Sequence, residues 1–282
     1  MTLPATASGV IVADSITKVG PESSGHVVVN GSHGGMYPAY LAARLGLRAV
    51  VFSDAGVGLE DAGIAGVRAL DETGLAAAAV DYRSARIGNG EEMLWQGRIS
   101  FVNRTAAATG CAPGQSTEDC VEHLLHAAVT TRSLPEHPEA RHLIRSEPDL
   151  PKVWALDSVS ITDARDDGAI IVTGSHGALL GDDPASAVRS SPLAAIFSDA
   201  GGGPNLRGTS RLPALDARGI AGGTVAAASA RIGDGASAYQ TGVLSVINAC
   251  ASELGANVGM SVIEFVDAVL STVRTPPERV IG

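Results

Sequence analysis

The sequence is short of cysteine, lysine, aromatic residues and clustered positive charge, and each shortage narrows what the chain can be. Three cysteines in 282 residues, Cys111, Cys120 and Cys250, form no disulfide framework and no ligand-spaced set, and neither CxxC nor HExxH occurs. The only two lysines, Lys18 and Lys152, confine any Schiff-base or Ser-Lys chemistry to those positions. No Lys/Arg run offsets the net charge of −10, so the basic face that nucleic acid requires is lacking. No Walker motif is present, and GNGEEM and GDGASA do not fit the spaced glycines of dinucleotide folds, so no nucleotide cofactor is expected. Residues 235–252, the longest stretch without Asp, Glu, Lys, Arg or His, are interrupted by Ser, Gln, Thr and Asn and make a poor membrane span. The N-terminus lacks the positive and apolar regions of a signal peptide, and a cytoplasmic location is the expectation. With aromatics at 4% against 45% hydrophobic residues, the core must be built from Ala, Val, Leu and Ile.

What is abundant is glycine, 34 residues or about 12% against a usual ~7%. Much of it recurs in a pattern. Gly31-Ser32-His33-Gly34 returns as Gly174-Ser175-His176-Gly177, an offset of 143. Ser53-Asp54-Ala55-Gly56 returns as Ser198-Asp199-Ala200-Gly201, and Ser84-Ala85-Arg86-Ile87-Gly88 returns as Ser229-Ala230-Arg231-Ile232-Gly233, both offset by 145. Asp14-Ser15 matches Asp157-Ser158, Asn103 matches Asn248, and Ser116 matches Ser261. The chain therefore reads as a duplication: residues 1–129, a charged and Pro-rich linker at 130–151 with a short helix near 140–145, and residues 152–282.

Each half shows short apolar runs separated by helical patterns, the signature of βαβ units and a mostly parallel sheet. In the first half the strands fall at 26–30, 48–53 and 75–81, with a helix at 37–45 ended by Gly46. In the second they fall at 169–173, 193–198 and 224–228, and Asp183-Pro184 announces the first helix. The three repeated motifs then follow the C-terminal ends of successive strands, the edge where open parallel sheets bind ligands. The expected architecture is α/β, two halves related by a pseudo-twofold axis and sharing one site.

His33 and His176 are the candidate acid/base residues, imidazole being the side chain that titrates near neutrality. Asp54 and Asp199 are candidates for orienting them or activating water, against an Asx-turn that merely closes the loop. Arg86 and Arg231 precede helices and suit a carboxylate or phosphate, against a structural ion pair. Ser84, Ser229, Ser32, Ser175, Gly34 and Gly177 complete the expected substrate-binding set, with an N-cap role for Ser32 and Ser175 beside it. Ser116 and Ser261 read as helix caps, Gly97 and Gly242 as glycines inside helices, and Asn103 and Asn248 as caps or backbone cross-links.

The expected function is an enzyme acting on a small carboxylate-bearing metabolite, with hydrolysis of an amide or cyclic amide C–N bond as the first reaction class. A metal-dependent lyase or isomerase is a second reading, since two His and two Asp at a twofold axis suit a divalent ion. A non-catalytic small-anion sensor is a third. The low charge and Ala/Gly-rich composition also suggest a homo-oligomer.

Overall fold

In a strand buried on both faces, successive side chains enter different cores. Val27 and Val29 join one apolar cluster while Val28 joins another; Ala49 and Val51 are likewise separated from Val50 and Phe52. Ile170 and Val172 against Ile171 repeat the division in the second half. Small and β-branched residues fill both faces, which is how so few aromatics suffice.

The structure, a computed structural model, describes residues 9–274 and contains two mostly parallel sheets interleaved with helices. The first sheet runs in chain order through β1 (Val10–Ala13), β2 (Val27–His33), β3 (Ala49–Ser53), β4 (Ala76–Val80) and an antiparallel β5 (Ile99–Val102). The second runs through β6 (Arg141–Arg145), β7 (Val153–Leu156), β8 (Ile170–His176), β9 (Ala194–Ser198), β10 (Ala221–Val225) and β11 (Leu244–Ile247), with β6 and β11 antiparallel at its edges. Packed on them are α1 (Met36–Arg44), α2 (Ala65–Ala69), α3 (Gly90–Trp95), α4 (Arg104–Ala107) and α5 (Thr117–Leu124) in the first half, then α6 (Arg211–Asp216), α7 (Gly235–Thr241), α8 (Ala249–Glu253) and α9 (Val262–Arg274). Among the described residues no helix is long and apolar enough to cross a membrane.

Several expected elements are corrected. Residues 140–145 form no helix; their backbone pairs with β7 as strand β6, fixed by Arg141, which stacks over Trp154 and forms an ion pair with buried Asp166. Residues 130–151 are thus more than a linker: β6 extends the second sheet, and Leu134 is buried in the first half's core. No α-helix follows Asp183-Pro184, where one 3-10 turn, Pro184–Ser186, is capped by the Asp183 side chain. Gly181, Pro184 and Pro192 make this stretch a poor helix. The strand expected at 224–228 lies at Ala221–Val225. Gly97 follows the end of α3 and Gly242 caps α7, so neither lies inside a helix.

Other expectations describe the fold as it stands. Ser116 and Ser261 accept hydrogen bonds from Asp119 and Glu264 at the starts of α5 and α9. Cys111 and Cys120 are buried, their sulfurs 2.9 Å apart.

Candidate functional site

The GSHG segments end strands β2 and β8 rather than beginning a helix. Pairing with the neighbouring strand lapses after Val29 and resumes only at His33, opposite Ser53. Asn30 bridges the gap, its Nδ2 donating to the Val51 carbonyl at 2.9 Å while its Oδ1 accepts from Ser32 N at 3.0 Å. In β8 the lapse lies between Val172 and His176, and Thr173 Oγ1 donates to the Ile196 carbonyl. Gly31 and Gly174 are required by close approach, because a β-carbon would lie 2.7 Å from Asn89 N in one case and 2.3 Å from Asp234 N in the other. Gly34 and Gly177 are equally tight, with a carbonyl oxygen 2.8 and 2.7 Å from that point. Their role is packing. Ser32 and Ser175 are not N-caps of the following helix; Ser32 Oγ accepts from Ile16 N at 3.0 Å and Ser175 Oγ from Val159 N at 2.9 Å. The N-cap of α1 is Gly35, without a side-chain bond.

This geometry brings the two imidazoles together. His33 and His176 line one cavity of about 100 Å³, room for a few waters or a small ligand. The contacts cross between the halves. A β-carbon on Gly233 would lie 3.2 Å from His33 Cε1, and one on Gly88 would lie 3.5 Å from His176 Cε1. Ala55, Ala62 and Ile87 meet Ala178, Ala200 and Ile232 in a small apolar cluster between the sheets.

Both rings are neutral at physiological pH. Burial lowers the pKa of His33 to about 4. Burial also holds His176 well below the usual histidine range, and the Arg211 and His33 charges push the same way. The backbone fixes one of the tautomers. His33 Nδ1 accepts from Gly35 N at 3.2 Å, so the single proton of the neutral ring resides on Nε2, which has no hydrogen-bond partner among the described residues. His176 Nδ1 is buried without a partner, and a backbone contact with Ala178 works against the lowering of that ring's pKa.

Hydroxyls surround the rings. Ser15 Oγ lies 2.8 Å from Thr17 Oγ1 and 3.3 Å from Ser32 Oγ. Ser158 Oγ donates to Ser160 Oγ at 2.8 Å, and Ser160 Oγ in turn to Glu139 Oε2 at 3.3 Å. Glu139 also accepts from Tyr37, and burial raises its carboxyl above the usual range. Arg211 also lines the cavity, its guanidinium buried and donating to the carbonyls of His176, Ser186 and Ala187. Burial lowers its pKa to about 10, which leaves it charged at neutral pH.

No family model, curated protein or solved structure matches the chain. The reading of the site therefore rests on its geometry.

The remaining sequence candidates lie outside the cavity. Asp54 Oδ1 accepts from the Gly56 and Tyr82 amides, each at 3.0 Å, and Asp199 Oδ1 from the Gly201 and Ala227 amides, each at 2.9 Å. These carboxylates tie the loop after one strand to the loop after the next. Among the described residues no three His, Cys, Asp or Glu side chains are placed to share a metal ion. Ser84 and Ser229 each donate to a carbonyl at 2.7 Å and accept from a backbone amide at 2.9 Å.

Arg86 and Arg231 are engaged with carboxylates: Arg86 with Glu92 and Asp182, Arg231 with Asp234 and Glu60. Each thereby links its half to the other. Partly exposed pairs of this kind contribute little, roughly 0–1 kcal/mol. Arg231→Gln is accordingly expected to lower stability by less than about 1 kcal/mol in urea unfolding, and a larger loss would show the pairs to hold the halves together.

Sequence reading missed Glu139, Tyr37, Arg211 and the hydroxyls of Ser15, Thr17, Ser158 and Ser160. For Ser15 and Ser158 the signal was present in the repeated Asp-Ser pair; for the others no repeated motif marked them.

Proposed function

We propose that the protein is a hydrolase of the C–N bond of a small amide or cyclic amide, with one active site between its two halves. The observation that carries this reading is the pair of buried, neutral imidazoles from different halves, both lining one polar cavity, with His33 Nε2 unpartnered. Each neutral ring carries one N–H, a donor held in place by burial. They suit a carbonyl oxygen that becomes an oxyanion, the role in which preorganised donors gain most in a site shielded from water. Glu139 is the base of the proposal: its raised pKa brings a carboxylate toward the range useful for proton transfer. It takes a proton from water as the oxygen attacks the carbonyl carbon, and returns it to the departing nitrogen. His33 and His176 hold the oxyanion between those events.

The correspondences between the halves support descent from one duplicated unit. Strand order, the amide pairs held by Asp54 and Asp199, and the crossed His–Gly contacts agree across them. They also support a pseudo-twofold arrangement, with Glu139, Tyr37 and Arg211 making the shared cavity asymmetric.

Incubating the protein with a panel of small N-acyl and cyclic amides, followed by NMR for the released carboxylate, tests the reading. His33→Gln and His176→Gln are each expected to lower kcat by roughly 10²-fold, the usual cost of one oxyanion donor, with KM little changed. Wild-type turnover in both variants would set the donors aside. Saturable binding without turnover across the panel would favour a small-molecule sensor.

A further inference from the structure

Arg211 is the one lysine or arginine buried among the described residues, with 2% of its surface exposed. No carboxylate neutralises it there. Isolated buried cations are costly unless their donors are satisfied and their charge is matched, and here only part of that requirement is met. Nε donates to the His176 carbonyl at 3.1 Å, Nη1 donates to the carbonyls of Ser186 and Ala187, and the guanidinium carbon lies 5.3 Å from the centre of the Phe197 ring. Nη2 has no hydrogen-bond partner among the described residues, although the side chain lines the cavity.

The fold explains how a guanidinium comes to be there. The position 145 residues before Arg211, the offset of the SDAG motifs, is Gly66. A β-carbon on Gly66 would lie 2.1 Å from the Gly35 carbonyl oxygen and 2.6 Å from Ala39 Cβ, because α1 packs directly on it. The second half has no α-helix between β8 and β9, and the Arg211 side chain reaches the 3-10 turn Pro184–Ser186 there instead.

The two carboxylates that line the cavity are held by other groups. Asp157 accepts from the amides of Gly235 and Ala140, and Glu139 from Ser160 and Tyr37. What Arg211 and His33 leave unpartnered are N–H donors lining one cavity with an uncompensated positive charge. His176, whose carbonyl accepts from Arg211 Nε, is 7% exposed and has a ring nitrogen, Nδ1, without a partner.

We infer that Arg211 and the adjacent imidazole form a subsite for a small carboxylate, the anionic end of the substrate. This rests on the proposed hydrolase reading only for the word substrate; the subsite itself requires no turnover. Because Nη1 is occupied, Arg211 does not grip the carboxylate as a two-nitrogen fork. Nη2 donates to one oxygen and an imidazole N–H to the other, which selects a planar two-oxygen anion. The cavity of about 100 Å³ limits the ligand to a few heavy atoms.

The test compares acetate with acetamide, its neutral isostere, by calorimetric titration of the full-length protein at pH 7, with imidazole ¹⁵N shifts of His176 as a second readout. Acetate is expected to bind saturably and move the His176 signal, and acetamide to bind at least about tenfold more weakly, as the loss of one charge-assisted contact dictates. Arg211→Met should abolish acetate binding, and Arg211→Lys should retain it in weakened form. Equal affinities for acetate and acetamide, absence of acetate binding to the wild type, or unchanged binding by a folded Arg211→Met protein would each overturn the subsite. If Arg211→Met does not fold, the wild-type comparison and Arg211→Lys still decide. Acetate binding without amide hydrolysis would overturn the hydrolase reading alone; hydrolysis of neutral amides without acetate binding would overturn the subsite alone.

Discussion

Acidification from pH 7 to pH 4 will cost the wild-type protein about 3 kcal/mol of stability through His33 alone, the cost of about 2.5 pH units at 1.36 kcal/mol each less the half-protonation of the folded ring at pH 4. The folded pKa is about 4 because the ring is buried, whereas an unfolded histidine titrates near 6.5. Between those values the unfolded chain binds a proton that the folded chain refuses, so stability is intact above about pH 6.5 and falls as pH decreases toward 4. His176 adds a loss of the same sign over the same direction of pH. Asp54 and Glu139 act oppositely, since burial raises their pKa and protonation relieves a buried charge. The difference between wild type and His33→Gln isolates the histidine. Urea unfolding at several pH values from 7.5 to 4.5 should show wild type losing ground to the variant by up to about 1.4 kcal/mol per pH unit below 6.5. A difference that stays constant with pH would mean that the folded ring titrates like an exposed one and is open to water.

The histidines were legible as a site because the sequence places each at the end of a strand and writes that strand end twice. Their chemistry was not. Neutrality depends on burial against Gly233 and Gly88, more than 50 residues away, and the tautomer of His33 depends on the Gly35 amide two positions ahead. Repetition was also ambiguous at Asp54, Asp199, Arg86 and Arg231. A carboxylate that ties two loops, or an arginine that bridges to the other half, is written twice for structural reasons as readily as a catalytic group is. Glu139 and Arg211 illustrate the converse. Glu139 lies in the segment joining the halves and Arg211 opens α6 where the position at the motif offset is Gly66, and a search for matches cannot find residues that have none. Strand β6 escaped for a related reason: RHLIR has no strong preference of its own, and the exposed edge of β7 decides its conformation.

Asn248→Ala and Asn103→Ala will each lower stability by roughly 3–5 kcal/mol, far more than an average buried polar substitution, because each asparagine satisfies three backbone groups. Asn103 Oδ1 accepts from Ala77 N at 3.0 Å and Ala106 N at 2.9 Å, while Nδ2 donates to the Leu75 carbonyl at 2.8 Å. Asn248 does the same with Gly222, Ala251 and Ile220 at 2.8, 2.9 and 2.9 Å. One side chain thus caps a short helix and continues the hydrogen bonding of an adjacent strand. Both lie where water cannot substitute, at 2% and 7% exposure. Alanine would strand two amides and a carbonyl at about 1–3 kcal/mol apiece, less what local relaxation recovers. Aspartate keeps the acceptor and loses the donor, so Asn103→Asp should fall between alanine and wild type. Urea unfolding with an unchanged m-value measures all three, and a loss below about 1 kcal/mol for alanine would mean that the strand ends open to solvent. The two sites lie in different sheets with no shared partner, so their effects should add in the double variant if the halves unfold in one transition. The crossed His–Gly contacts and the apolar cluster between the sheets argue for that single transition. Two resolved transitions in Asn103→Ala, with only the first shifted, would show instead that each sheet holds its own stability and that the halves unfold independently.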